Sequence, residues 1–339
     1  MKRHVRRLQF TGRSTYIVSL PKSWVVEQGL KQGSAVLVEE LGDKLLIRPL
    51  RRAEELKQRS ITINVNTSMS LEAVVRRIIG GYVMGYDQVI VKSFSRIEPG
   101  LRNTIRELIV GRLLGVEVVY EDEREIRLQV LLSPSTIPLI DVLKRLSRVV
   151  HSVLEDACLI LSRTGPPPDE VIKEDDSIDR VYFYAIRMIN LVAEGYAELR
   201  ELHSVKELLV FRAFSKLLER IGDHSVNIAK YAHQIIDNEA LCKKTRELCM
   251  MSLEAYTKAV DSFFNRDPNG VEEVAFLTKK LVDDEERFIS QVAGSLEAKS
   301  LIALRAVLES VRRISEYSRD IAELALDLSL ESQEGVAKS

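Results

Sequence analysis

With 339 residues, 45% of them apolar and 29% charged, the chain has the composition of a globular protein of two or three domains, each able to bury its own core. No stretch reaches the ~18 apolar residues of a spanning helix, and M-K-R-H-V-R-R has no apolar run behind it. Membrane insertion and a secretory leader are therefore not expected, and a cytoplasmic location is. The net charge of −1 hides an asymmetry: residues 1–52 hold eleven Lys and Arg against four acids, a net of +7, which leaves −8 for the remainder. A basic head on an acidic body points to a head that meets a polyanion while the body does something else. Cys158, Cys242 and Cys249 show no metal-type spacing and read as reduced thiols. No Ser/His/Asp, Cys/His or Walker arrangement stands out, so an enzyme is not expected.

Residues 5–50 read as a small β-rich unit. V-R-R-L-Q-F is a candidate strand, T-G-R-S a turn and T-Y-I-V-S-L a second strand. P-K-S-W-V-V-E-Q-G-L opens with Pro21 at a helix N-terminus and stops at Gly29. S-A-V-L-V-E-E and K-L-L-I-R-P follow as a hairpin through Gly42-Asp43. Such a unit buries little surface and needs help to stand alone, and dimerisation would supply it.

The run T-G-R-S-T-Y-I-V-S-L-P-K-S-W (11–24), with the strand pair after Gly33, resembles the AbrB-like (SpoVT/AbrB) swapped-hairpin DNA-binding domain. The resemblance implies a domain over residues 1–52 in which two chains interleave their hairpins as a homodimer. It also implies that Arg6, Arg7, Arg13 and Lys22 face DNA, with Lys2, Arg3 and His4 as a further arm. Lys and Arg neutralise phosphates and release counterions, and Arg can also fork onto guanine. The bland alternative is that these are solvating charges.

A charged connector covers residues 51–60. I-T-I-N-V-N (61–66) alternates as a strand should, and Met69 to Met84 is an amphipathic helix closed near Gly80, Gly81 and Gly85. D-Q-V-I-V-K (87–92), Gly100 to Leu114, V-E-V-V-Y (116–120) and E-I-R-L-Q-V-L-L (125–132) complete a β-α-β-α-β-β order, a small α/β domain over 58–133. Neither Gly80-Gly81 nor Gly111-x-x-x-Gly115 has the setting of a phosphate loop, and the default role is a scaffold or dimerisation piece.

From Ser135 the pattern is helical throughout, with helices near 135–163, 170–201, 205–236, 239–265, 269–295 and 299–330. Breaks fall at G-P-P-P (165–168), His203-Ser204, Asp237-Asn238 and D-P-N-G (267–270). Short loops between long amphipathic helices predict two three-helix bundles, over 135–236 and 239–330. The stretch I-G-D-H-S-V-N-I-A-K-Y-A (221–232) is echoed about ninety residues on by I-S-E-Y-S-R-D-I-A-E-L-A (314–325), a sign of duplication. Leu217, Leu218, Ile221, Ser225, Ile228 and Ala232 share one helical face. Glu219 and Asp223 stack one turn apart, away from that face, and repel each other unless a cation or basic partner intervenes.

The string E-R-I-G-D-H-S-V-N-I-A (219–229) resembles the signature of the PhoU family, regulators of phosphate uptake. That resemblance spans roughly residues 135–330. It implies two three-helix bundles, each with an E/D-x-x-x-D motif that can hold a metal cluster on its surface. The first motif is Glu219-x-x-x-Asp223. The nearest second match, Glu316-x-x-x-Asp320, lies one turn later, because Arg312 stands where Glu219 would be. Aligning Arg180 with Arg287 pairs Asp176 with Asp283 and Asp179 with Glu286, acids on the middle helix of each bundle. If the helices pack antiparallel, Asp176 and Asp179 approach Glu219 and Asp223, giving hard oxygen ligands for a cation. The metal is iron or zinc by resemblance, and magnesium or calcium by ligand type. The competing reading is solvated acids paired with Lys216, Arg220 or Arg180.

The two resemblances together imply a regulator whose head binds DNA and whose bundles sense or relay phosphate status. The alternative is an adaptor that contacts a phosphate transporter's ATPase or a sensor kinase without touching DNA. A di-iron enzyme would need Glu-x-x-His pairs facing a bundle core, and none occurs.

Overall fold

The structure is a computed structural model that describes residues 3–12, 14–41, 44–50, 59–66, 68–133, 137–162, 165–196, 206–235 and 237–336. It falls into two units, residues 1–57 and 58–339. The hairpin turn at Gly42-Asp43, connector residues 51–58 and the break at His203-Ser204 lie outside the described residues.

In the first unit, β1 (Gln9–Thr11) pairs antiparallel with β2 (Thr15–Ile17), with Phe10 opposite Tyr16. The strand expected from Val5 is shorter than its sequence suggested, since only its last part finds a ladder partner. Helix α1 (Lys22–Glu27) follows Pro21 and ends where Gly29 takes φ +67, with the Gly29 and Leu30 amides returning to the Val26 and Val25 carbonyls. β3 (Val36–Leu41) and β4 (Lys44–Pro49) form an antiparallel hairpin. None of the described side chains of this unit is buried.

The second unit opens with a four-stranded sheet, order β5-β6-β8-β7, from β5 (Ser60–Val65), β6 (Gln88–Ser93), β7 (Val116–Glu121) and β8 (Glu125–Val130). β5 and β6 run parallel, joined through α2 (Leu71–Val83), and the other pairings are antiparallel. Helix α3 (Pro99–Arg112) starts at Pro99 and leads into β7. Alternate residues Ile63, Val65, Val89, Val91, Ile126 and Leu128 are buried, together with Val74, Ile78, Ile105 and Leu108 of the helices. Gly80 and Gly81 lie inside α2 rather than closing it. A Cβ at Gly81 would stand 3.0 Å from Val89 and 3.1 Å from Ile61, so this glycine lets the helix approach the sheet. The true stop is Gly85, at φ +86.

Among the described residues, six α-helices complete the unit: α4 (Leu139–Ile160), α5 (Pro168–Ala193), α6 (Lys206–Ala232), α7 (Glu239–Asn265), α8 (Gly270–Val292) and α9 (Ala298–Val336). They form the two expected three-helix bundles, packed on each other through α6 against α9 and α4 against α7. The internal repeat is physical. Ile221 and Ile314, Ile228 and Ile321, and Ala232 and Ala325 are all fully buried. Ser225 and Ser318 hold equivalent places, each donating to the carbonyl one turn back, of Ile221 (2.8 Å) and Ile314 (2.7 Å).

Cys158 and Cys249 are not reduced thiols: they form a disulfide between α4 and α7, with Cα atoms 5.6 Å apart. Ninety-one residues separate them in sequence, so only the packing of one bundle on the other brings them together. Cys242 remains a buried free thiol. The Tyr256 hydroxyl donates to the Ser147 carbonyl at 2.7 Å across the same seam. Arg266, at the C-cap of α7 with φ 53, pairs at 2.7 Å with the fully buried Glu207 of α6.

Candidate functional site

Helices α5 and α6 bring two acidic pairs face to face. On α6, Glu219 is half-buried and Asp223 exposed, one turn apart. On α5, Asp175 and Asp179 repeat that spacing and are half-buried, while Asp176 is exposed. Asp176 and Asp179 are the pair expected from the sequence. The structure adds Asp175, whose Asp-x-x-x-Asp spacing to Asp179 matches that of Glu219 to Asp223.

The cluster holds a cation from the neighbouring domain. Arg112, the last residue of α3, places Nε 2.7 Å from Asp176 Oδ1, Nη1 3.2 Å from Asp179 Oδ2 and Nη2 4.0 Å from Asp175 Oδ2. Gly111 makes room for this approach, since a Cβ there would lie 3.3 Å from Asp176 Oδ2. On the other side, Lys216 sits 2.5 Å from Glu219 and 5.4 Å from the Tyr182 ring centre. Two carboxyls are left with a charge that is hard to hold. Burial, then Asp175, Glu219 and Asp223, pushes Asp179 up to about 7 against the pull of Arg112. Desolvation at the cluster rim, then Glu219 and Asp175, pushes Asp223 up to about 6, opposed by Lys216 and Lys230. Neighbouring His224 is half-buried with its ring centre 5.8 Å from that of Tyr317. Burial and Arg313 lower its proton affinity, as suits a packed histidine.

The second bundle is built differently. Asp283 and Glu286 lie exposed on α8, and the carboxylate of that helix that turns inward is Glu285. Arg312 faces it from α9, Nη1 4.0 Å from Glu285 Oε2, and also places Nε 3.0 Å from Glu316 Oε1. Glu316 is shared with Arg313 at 3.1 Å. Burial raises the Glu285 carboxyl and Arg312 opposes the shift. Asp320 is likewise raised, first by burial and then by Glu323. Among the described residues no group of three or more His, Cys, Asp or Glu side chains is disposed to hold a metal ion. As donor sets for iron or zinc, the two faces fit poorly, since an arginine stands in each.

The α/β domain is fastened to α5 by a second set of contacts that the sequence reading did not single out. Arg187, 2% exposed, donates through Nη1 to the carbonyls of Tyr82 (2.8 Å) and Tyr86 (2.7 Å), with Nη2 3.3 Å from Asp87 Oδ1. Asn190 donates to the Val83 carbonyl at 2.7 Å, and Arg59 meets Glu194 at 2.8 Å. A guanidinium on the last carbonyls of α2 is favoured by the helix dipole. An arginine among apolar residues of a helix, at Ala185-Ile186-Arg187-Met188-Ile189, was the available signal.

In the first unit, Arg6, Arg7 and Lys22 are exposed, and Arg13 lies outside the described residues. Around them the apolar residues are exposed as well: Phe10 is 59% accessible, Tyr16 69% and Leu45 61%.

The fold and these sites define a modular protein, a β-rich basic head followed by an α/β domain and two helical bundles. Residues 143–232 and 245–325 match the family described as PhoU domain, and the chain belongs to that family. Residues 9–55 match the family described as antidote-toxin recognition MazE, bacterial antitoxin. Among solved structures, PhoU from Pseudomonas aeruginosa is similar at 19% identity, with 56% of this chain and 94% of that one covered and a TM-score of 0.49. The phosphate transport system regulatory protein PhoU from Streptococcus pneumoniae is similar at 17% identity, with 56% and 92% covered and a TM-score of 0.44. No curated protein sequence matches the chain. No described helix is long and apolar enough to cross a membrane. The PhoU match points to regulation of phosphate uptake for the bundles.

Proposed function

We propose that this protein is a DNA-binding transcriptional regulator of phosphate uptake, a homodimer through its head, with PhoU bundles that sense or relay phosphate status. The observation that carries the reading is the head itself, which has no buried side chain among its described residues and a net charge of +7 over residues 1–52. Exposed Phe10, Tyr16, Val38 and Leu45 would find their core in a second copy, which also doubles the positive charge. Arg6, Arg7, Arg13 and Lys22 are the groups assigned to phosphate and base contacts. A two-fold head reads a pseudo-palindromic site, and bundle occupancy regulates it by differing in affinity between two arrangements of the dimer. A gel shift with the promoter of a phosphate transporter against random duplex tests this, and equal affinity for the two would overturn it.

One observation favours a second reading. The PhoU matches, residues 143–232 and 245–325, lie wholly outside the head. An adaptor that contacts a transporter ATPase or a sensor kinase would co-purify with that partner after deletion of residues 1–52.

A further inference from the structure

The sheet of the α/β domain has two edges, β5 and β7, and they are built differently. The β7 edge is interrupted and charged. Its register with β8 shifts between Val118 and Tyr120, Glu117 lies exposed on it, and Glu121 is held by Arg102 and Arg106 of α3. Bulges and charges are the devices that stop an edge strand from pairing further. The β5 edge has neither. Ser60 to Val65 keep an unbroken parallel register with β6, and no charged residue, proline or glycine occurs from Ser60 to Leu71. The Arg59 amide donates to Asp87 Oδ2 at 3.0 Å and its carbonyl accepts from the Gln88 amide at 3.0 Å, so both face β6. Alternation along the ladder then turns the amides and carbonyls of Ser60, Thr62 and Asn64 outward, to a side on which β5 has no strand neighbour among the described residues.

We propose that β5 pairs antiparallel with β5 of a second copy of this chain, joining the two four-stranded sheets into one across a two-fold axis at Thr62. A strand that meets its own copy must be complementary to itself, and this one is. With Thr62 opposite Thr62 of the second copy, Ser60 stands opposite Asn64 in both directions, and each outward amide finds a carbonyl. On the exposed face only hydroxyl and amide side chains meet, a favourable cross-strand set. On the face towards α2, half-buried Ile61 comes against Ile63 of the second copy, so the apolar layer runs on through the seam. No like charges are brought together, whereas β7 paired with itself would crowd Glu117 and Glu121. The pairing rests on the functional reading above for a chain of two copies, and it gives the α/β domain a part in that assembly.

The test uses the full chain, with sedimentation for copy number and amide hydrogen exchange read residue by residue over Ser60–Val65. The expected result is a dimer in which the Ser60, Thr62 and Asn64 amides exchange on the order of a hundredfold slower than free amides, as those of Ile61 and Ile63 do. T62K sets two like charges opposite each other at the two-fold, on the exposed face and away from the core. It should return the Ser60, residue 62 and Asn64 amides to near-free exchange. Continued protection of Ile61 and Ile63 in T62K would show that the sheet itself is still folded. V119K, the matching change on the β7 edge, should leave all five amides protected. Free exchange at Ser60, Thr62 and Asn64 in a wild-type dimer would overturn this pairing and leave the head dimer standing. Protection that T62K does not remove would also overturn it, since the edge would then be covered by something other than a second β5. A monomeric wild type would overturn both readings.

Discussion

Glu219 and Arg312 hold the same place in the two bundles and carry opposite charge. Each stands two residues before a buried isoleucine, Ile221 and Ile314. Glu219 faces a crowd of aspartates on α5, and Arg312 answers the buried Glu285 on α8. One duplicated helix thus brings a carboxylate to the acids of one bundle and a guanidinium to those of the other.

Removing Arg312 takes from buried Glu285 the cation it faces. R312A is expected to cost roughly 2–4 kcal/mol at pH 8, read from denaturant melts. The Glu285 carboxyl is already raised by burial, so acidification protonates it and the cost should shrink. A cost that is the same at pH 5 and pH 8 would contradict the assignment.

The first bundle gives a pH dependence of definite sign. Folded Asp179 and Asp223 titrate at about 7 and about 6, above the ordinary value of 3.8. Between those limits the folded chain holds more protons than the unfolded one, so stability falls as pH rises from about 4 to about 7. D223N removes one of the two contributions. Its melting temperature should exceed that of the wild type by about 2–4 °C at pH 8 and match it near pH 4.

Arg187 supplies the cation that the last turn of α2 lacks in its own sequence. R187M leaves the Tyr86 carbonyl and Asp87 without their cation inside the domain interface, at an expected cost of roughly 2–4 kcal/mol. R187K should restore only part of this, because an ammonium cannot fork between two carbonyls and a carboxylate. Full rescue by lysine in a thermal melt would show that charge alone is what α2 requires.

The disulfide predicts a labelling pattern. Alkylation of the denatured, non-reduced protein should modify Cys242 alone, and prior reduction should expose Cys158 and Cys249 as well. The cross-link spans 91 residues, so the C158S/C249S variant should lose about 4 kcal/mol in a denaturant melt. Three modified cysteines without reduction would remove the cross-link from the account.

The bundles were legible in the sequence because periodicity and breakers act locally. Leu217, Leu218, Ile221, Ser225, Ile228 and Ala232 fall on one face from spacing alone, and all but the half-buried Leu217 are buried. Side-chain meetings across elements were not legible. Nothing local announces that Arg112 reaches Asp176, 64 residues on, or that Cys158 meets Cys249. Aligning the middle helices on Arg180 and Arg287 put Asp283 and Glu286 forward as ligands, whereas burial turns Glu285 inward. An arginine match carries no information about which flank of a helix faces its neighbour. The head was legible in outline from its turns and glycines, but its strands are short, because a three-residue ladder is all that β1 and β2 form within one chain.

A two-copy basic head that grips duplex under the control of the bundles betrays itself in copy number and in salt dependence. The most direct measurement is a fluorescence-anisotropy titration of the full chain on a phosphate-transporter promoter duplex across a salt series, with sedimentation to give the copy number. The expected result is a dimer on the duplex whose affinity falls steeply with salt, with R6A/R7A weaker and its salt slope reduced by roughly one unit for each phosphate no longer neutralised. A monomeric chain, or an affinity and salt slope that R6A/R7A leaves unchanged, would contradict it.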